Sequence, residues 1–297
     1  MTDQKQEHLR GVIPPVITPF DAEGKLDLGT YAELIDFWAG KVHGLFVCGT
    51  YGSGPLLDVA ERKDVMETAV KAAAGRLPVI AHVGATTTRA AVELARHAEA
   101  VGVKVVASVP PYYYPHSEDN VRRYFEALVE AVDIPVYCYV NPKTVGYTVS
   151  PTFLARLAEL GVRGLKDSTF DIVYHYEVRR QVTVSDFDFV AGSEALMLAS
   201  WLAGARAFIA GLANCLPEPV VELYALCEAG RYEEAAEQQK VVIALRSLLH
   251  RASTVSMVHA ILDMRGVRAG YPRAPFAPVD PEVAAEVKQT MAKLGVL

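Results

Sequence analysis

Cysteine is scarce in this chain: four in 297 residues, at positions 48, 138, 215 and 227. They have neither paired nor CxxC spacing and sit mostly in apolar runs, which argues against a disulfide framework and points to reduced core thiols in the cytoplasm. Long hydrophobic runs are also lacking. The most apolar window, 195–217, is interrupted by Gly204, Arg206, Gly211 and Asn214, well short of the ~20 residues of a spanning helix. The first ten residues, MTDQKQEHLR, hold no apolar stretch; no secretory signal or membrane anchor is expected, and the mature chain is expected to start here. There is no excess of positive charge, since 29 Lys and Arg stand against 35 Asp and Glu, interspersed, for a net −6. Nucleic acid and anionic lipid are thereby disfavoured as partners.

What is present is a hydrophobic fraction of 51% with 22% charged residues, the composition of a compact soluble protein. Length alone allows two domains of about 150 residues or one α/β barrel of about 250. The pattern decides. Short β-rich apolar runs fall at 12–18, 45–48, 79–83, 103–109, 136–140, 163–166, 187–191 and 207–210, and each is followed by a segment of helical period. Asp58 with Glu61 forms a capping box ahead of Val65, Ala69, Val70 and Ala73, which share a face. Ser150 and Pro151 read as N-cap and first residue of the fifth helix, carrying Leu154, Leu157 and Ala158. Eight such βα units predict a TIM (β/α)8 barrel over 1–233. From 234 to 297 a helical extension without strands is expected, broken by a Gly/Pro-rich loop at 266–278; it either plugs the barrel or makes a subunit contact.

In this fold, chemistry sits at the C-terminal strand ends. The sixth strand ends Gly164-Leu165-Lys166-Asp167-Ser168-Thr169, placing an amine where water is scarce. Desolvation lowers a lysine pKa from ~10.4 by up to several units and frees the amine for Schiff-base formation; the bland alternative is a lysine that snorkels to solvent. Lys143 looks exposed, and Lys104 begins its strand at the wrong end. Tyr137 and Tyr139 face one side of the fifth strand, so one phenol near Lys166 is a candidate proton shuttle. The loop Gly49-Thr50-Tyr51-Gly52-Ser53-Gly54-Pro55 suits an anion such as a carboxylate and lacks P-loop spacing. Pro110 to His116 forms an aromatic loop. The histidines show no HxxxH or HExxH spacing; His82 and His116 alone make a weak metal site.

At these strand ends the sequence resembles the dihydrodipicolinate synthase / N-acetylneuraminate lyase superfamily over essentially its full length. The resemblance is carried by Pro14 to Phe20, Gly49 to Ser53, Tyr112 to Pro115, Tyr139 with Gly146, Gly164 to Ser168, and Gly192-Ser193-Glu194. It implies a homotetrameric barrel that joins a lysine to pyruvate or another 2-keto acid, with no metal or organic cofactor. On that resemblance Lys166 is the Schiff-base lysine, Tyr139 the proton shuttle, and Thr50 and Tyr51 hold the keto-acid carboxylate. Tyr113 matches a tyrosine that reaches into a neighbouring subunit's site, and Ser168, Gly192, Ser193, Glu194 and Ile209 fall where substrate is contacted.

Two departures bear on specificity. The synthases carry Gly-Thr-Thr-Gly-Glu, whereas Tyr51 and Ser53 stand here in place of the second Thr and the Glu. Thr144 occupies the position of an arginine that clamps the aldehyde's carboxylate in the synthases. The Gly52-Ser53-Gly54-Pro55 arrangement is closer to 2-keto-3-deoxygluconate aldolases. The expectation is therefore a class I lyase cleaving a 2-keto-3-deoxy sugar acid to pyruvate and an aldehyde. A dehydratase on the same imine, 4-hydroxy-tetrahydrodipicolinate synthase, and a non-catalytic ligand-binding relative are the alternatives.

Overall fold

The computed structural model describes residues 8–297. Eight parallel strands alternate with helices: β1 (Gly11–Ile13), α1 (Leu28–Trp38), β2 (Leu45–Val47), α2 (Val59–Ala73), β3 (Val79–His82), α3 (Thr88–Ala100), β4 (Val105–Ser108), α4 (Glu118–Val129), β5 (Val136–Val140), α5 (Pro142–Val145), α6 (Pro151–Leu160), β6 (Gly164–Asp167), α7 (Ile172–Gln181), β7 (Asp188–Ala191), α8 (Met197–Leu202), β8 (Ala207–Ile209) and α9 (Pro217–Glu228). Strand order runs β1-β8-β7-β6-β5-β4-β3-β2. Single hydrogen bonds from His43 N–H to Val12 O and from Phe46 N–H to Pro14 O close β1 onto β2. The architecture is the TIM barrel that the eightfold repeat predicts.

Several boundaries differ from the sequence reading. β1 ends at Ile13 rather than at residue 18, because Pro14 and Pro15 have no N–H to give a ladder. The helix that Ser150 caps is the sixth, since the one-turn α5 precedes it; Ser150 Oγ accepts from Phe153 N–H as expected. The Asp58–Glu61 capping box is present in both directions, at 2.8 and 3.0 Å, and Val65, Ala69 and Ala73 are buried on the face they share. All four cysteines are buried and free.

Apolar packing falls into two shells. Ile13, Phe46, Ile80, Tyr137, Tyr139 and Ile209 fill the barrel interior, and a larger cluster lies between the sheet and its helices. At the bottom, the Tyr137 hydroxyl and Leu9 N–H donate to Asp188, which also meets His8. The top is thus the end left for chemistry. The C-terminal part adds α10 (Tyr232–Leu249), α11 (Thr254–Met264) and α12 (Pro281–Lys293); the expected boundary at 233/234 falls inside the first turn of α10. The C-terminal part packs α10 along α9 and α8 and against the turn after β7, which brings it to the barrel mouth. No single helix among the described residues is long and apolar enough to cross a membrane.

Candidate active site

Parallel register sets Tyr139 on β5 beside Lys166 on β6. Both point into the barrel top, and the Lys166 amine lies 3.7 Å from the ring centroids of Tyr139 and of Phe46. Lys166 is 3% exposed. Burial pulls its pKa below the ordinary lysine value, opposed by the neighbouring phenol. Burial raises the Tyr139 pKa in turn, but the Lys166 charge and hydrogen bonds from Thr50, Lys166 and Ser168 outweigh it, so the phenol ends below its usual value. A cation beside a phenol in low dielectric favours neutral amine or phenolate according to where one proton sits. Asn141 Nδ2 donates to the phenol oxygen at 3.0 Å, and Thr50 Oγ1 lies 3.4 Å from it.

The loop after β2 is held by close approach of its own backbone. A Cβ at Gly54 would collide with the Cys48 carbonyl, so only glycine fits. Among the described residues neither Thr50 N–H nor Tyr51 N–H donates a hydrogen bond, leaving two donors for an anion. The Tyr51 phenol turns away from Tyr139, toward Thr254 on α11 and Glu194, and burial together with Glu194 pushes its pKa well up. It remains a donor at neutral pH.

Across the mouth, Gly192 follows β7 where any side chain would strike Ser168 Oγ. Ser168 Oγ donates to Gly192 O at 3.4 Å, and Ser193 Oγ caps the next turn by accepting from Ala195 N–H. Glu194 is 2% exposed, and burial raises its pKa. Its carboxylate accepts from Gly211 N–H at 2.9 Å and meets Arg246 Nε of α10 at 3.3 Å.

Lys166, Tyr139, Thr50, Tyr51, Ser168, Gly192, Ser193, Glu194 and Ile209 all line one cavity of about 110 Å3, together with Pro15, Asn141, Phe170, Gly211 and Arg246. Tyr113 is not brought there within one chain. It stands on the exposed loop after β4, 82% exposed with φ +81°, edge-on to Tyr114. Thr144 is a correction: it is exposed on α5 and its hydroxyl donates to Asn141 O at 3.2 Å, outside the cavity lining. Lys143 is also exposed, its amine 4.9 Å from the Phe170 ring. His82 is a core residue whose ring meets Cys48 O and Val109 N–H. Sequence reasoning missed Arg246. It lies 80 residues beyond Lys166 on a helix that period alone assigns to the periphery, and its signal would have been a lone arginine among the apolar residues Val242, Ala244, Leu245 and Leu248.

Fold and site define a (β/α)8 lyase of the pyruvate-dependent aldolase type, a Schiff-base-forming enzyme. The profile of the Dihydrodipicolinate synthetase family matches residues 8–294, and the chain belongs to that family. It is 38% identical over 295 residues to a DapA-like lyase from Halobacterium salinarum, covering 97% of this chain and 95% of the relative. A 4-hydroxy-tetrahydrodipicolinate synthase from Desulfotalea psychrophila is 31% identical, covering 98% of each. Among solved structures, KD(P)GA from T. tenax is similar at 32% identity with TM-score 0.89, covering 97% of this chain and 99% of that one.

Proposed function

We propose that the chain cleaves a 2-keto-3-deoxy sugar acid to pyruvate and an aldehyde, with Lys166 as nucleophile. The neutral amine attacks the C2 ketone and water leaves, giving a protonated imine. Tyr139 then takes the proton of the C4 hydroxyl; the C3–C4 bond breaks, the aldehyde departs, and the electron pair enters the imine as an enamine. Protonation at C3 and hydrolysis return pyruvate and the free lysine. The N–H groups of Thr50 and Tyr51 cradle the keto-acid carboxylate, while Ser168, Gly192 and Ile209 border the reacting carbons.

One observation carries the choice of substrate: the arginine at the tail end of the cavity is already paired with buried Glu194. A distal carboxylate entering there meets the Glu194 charge and finds the guanidinium partly neutralised, whereas hydroxyls accept from Arg246 and donate to Glu194 without that repulsion. Tyr51 and Ser193 add further hydroxyl partners. The similarity to KD(P)GA supports this reading, and the similarity to 4-hydroxy-tetrahydrodipicolinate synthases keeps that condensation as the rival.

We further infer a cytoplasmic homotetramer. Four free buried thiols suit a reducing compartment. Val173 and Tyr176 on α7 and Leu202 on the adjacent α8 are 65%, 53% and 59% exposed, an apolar face that a second copy would cover. Tyr113, on a different loop, serves the site of another copy.

The test measures both reactions on one preparation. Cleavage of 2-keto-3-deoxygluconate with a higher kcat/KM than condensation of pyruvate with aspartate semialdehyde supports the proposal. Efficient condensation without sugar-acid cleavage overturns it in favour of the synthase.

A further inference from the structure

Phe170 stands four residues beyond Lys166, where the chain turns from β6 into α7. Of the non-glycine residues with positive φ among the described residues, it alone lines the catalytic cavity. Its φ of +61° suits glycine, and a bulky side chain adopts it at a cost. Both neighbours impose it. The Asp167 carboxylate accepts from Thr169 N–H at 2.9 Å and from the Thr169 hydroxyl at 2.7 Å, and that hydroxyl accepts in turn from Asp171 N–H at 3.2 Å. Asp171 is itself fixed as the N-cap of α7, accepting from Val173 N–H at 2.8 Å. Strain over-determined in this way collects at ligand-binding sites.

What the turn presents is a phenyl ring at the tail end of the cavity. The ring centroid lies 5.3 Å from the Arg246 guanidinium of α10 and 4.9 Å from the Lys143 amine of α5, so cation–π contacts hold the ring between the two helices. It is 40% exposed and carries no polar group of its own. Glu194, Arg246 and Ser193 supply the polar partners at this end; Phe170 adds an apolar surface beside them.

We propose that Phe170 is a specificity-determining residue, whose ring packs on the C–H face of a polyhydroxylated substrate tail beyond C4. This deepens the reading of the chain as a sugar-acid lyase and rests on it. A polyol chain alternates hydroxyls with hydrogens on carbon, so hydroxyl partners on one side and an aromatic ring on the other match both of its surfaces. Pyruvate ends at C3 and has no atoms for the ring to cover. Glycine at this position would relax the turn and leave that surface empty.

The test compares wild type with Phe170→Gly and Phe170→Asn, two ringless side chains that tolerate positive φ, and with Phe170→Tyr, which keeps the ring. For each, the KM for 2-keto-3-deoxygluconate is divided by the pyruvate concentration that half-saturates borohydride trapping. That ratio should rise about 5- to 20-fold in the two ringless variants, the effect of removing an aromatic contact, and return near the wild-type value in Phe170→Tyr. Melting curves identify the variants that fold. An unchanged ratio in either folded ringless variant overturns the proposal. So does a rise in Phe170→Tyr as large as in the others, which assigns the effect to the turn rather than to the ring. A wild type that cleaves no sugar acid overturns the functional reading, and this inference with it.

Discussion

The Lys166 amine rests 3.7 Å from the Tyr139 ring centroid, and both groups titrate below their ordinary values. For Lys166 the cause is burial, which penalises the ammonium; for Tyr139 it is the ammonium itself, acting against burial. The pair therefore shares a proton at lower pH than either group would release one alone.

Imine formation needs the free base, so the rate of borohydride trapping with pyruvate should rise with pH through the lowered Lys166 pKa and level off before the ordinary lysine value of 10.5. Mass spectrometry places the label on the peptide containing Lys166, and Lys166→Ala abolishes it. Labelling that persists in this variant moves the nucleophile elsewhere.

Tyr139→Phe keeps the ring that packs against Phe46 and removes only the hydroxyl. A fall in kcat of about 10² or more is expected, the contribution of a positioned acid–base group, with the melting temperature near that of wild type. Full activity in the variant transfers the proton to another group.

Arg246→Met leaves the pyruvate end of the cavity intact and removes the tail-end guanidinium. The KM for a 2-keto-3-deoxy sugar acid should rise by about 10- to 100-fold, corresponding to a hydrogen bond to a charged group, while pyruvate trapping on Lys166 proceeds as in wild type. Equal loss of both readouts shows a structural role for the Glu194–Arg246 pair instead.

His259 makes the fold acid-sensitive. Its pKa of about 4 in the folded chain lies below the ordinary 6.5, so the unfolded chain takes up the proton first as pH falls. The associated stability is complete above pH 6.5 and is lost progressively down to pH 4, about 3 kcal/mol in all. His259→Gln keeps a donor for Ala269 O and does not titrate. Denaturant titrations at pH 7 and pH 4 should show a smaller difference for the variant by that amount; an unchanged difference assigns acid sensitivity to other groups.

Leu202→Glu puts a charge on the exposed α7–α8 face. Sedimentation should then report a smaller assembly than wild type, with barrel folding retained, because desolvating an unpaired carboxylate in an interface is unfavourable. An unchanged mass means that this face is not buried between copies.

The barrel was legible in the sequence because each βα unit is local: strand runs, the Asp58–Glu61 box and the Ser150 cap all act within one or two turns. Lys166 was legible for a related reason, since its position at a strand end fixes it at the barrel mouth. Pro14 and Pro15 shortened β1 against its apolar pattern because hydrogen bonding, which hydrophobicity does not encode, ends a strand. The tail end of the cavity was not legible at all. Arg246 reaches Glu194 only once α10 has packed along α9 and α8, and Thr144, which the resemblance puts at the position of the synthases' arginine clamp, donates back to Asn141 on its own turn. Sequence determined the repeating elements, the face each one buries and the chemistry at the strand ends, through short-range periodicity and capping. Tertiary structure alone decided which distant side chains share the low-dielectric space with Lys166, because that depends on how a separate helix packs across the barrel mouth.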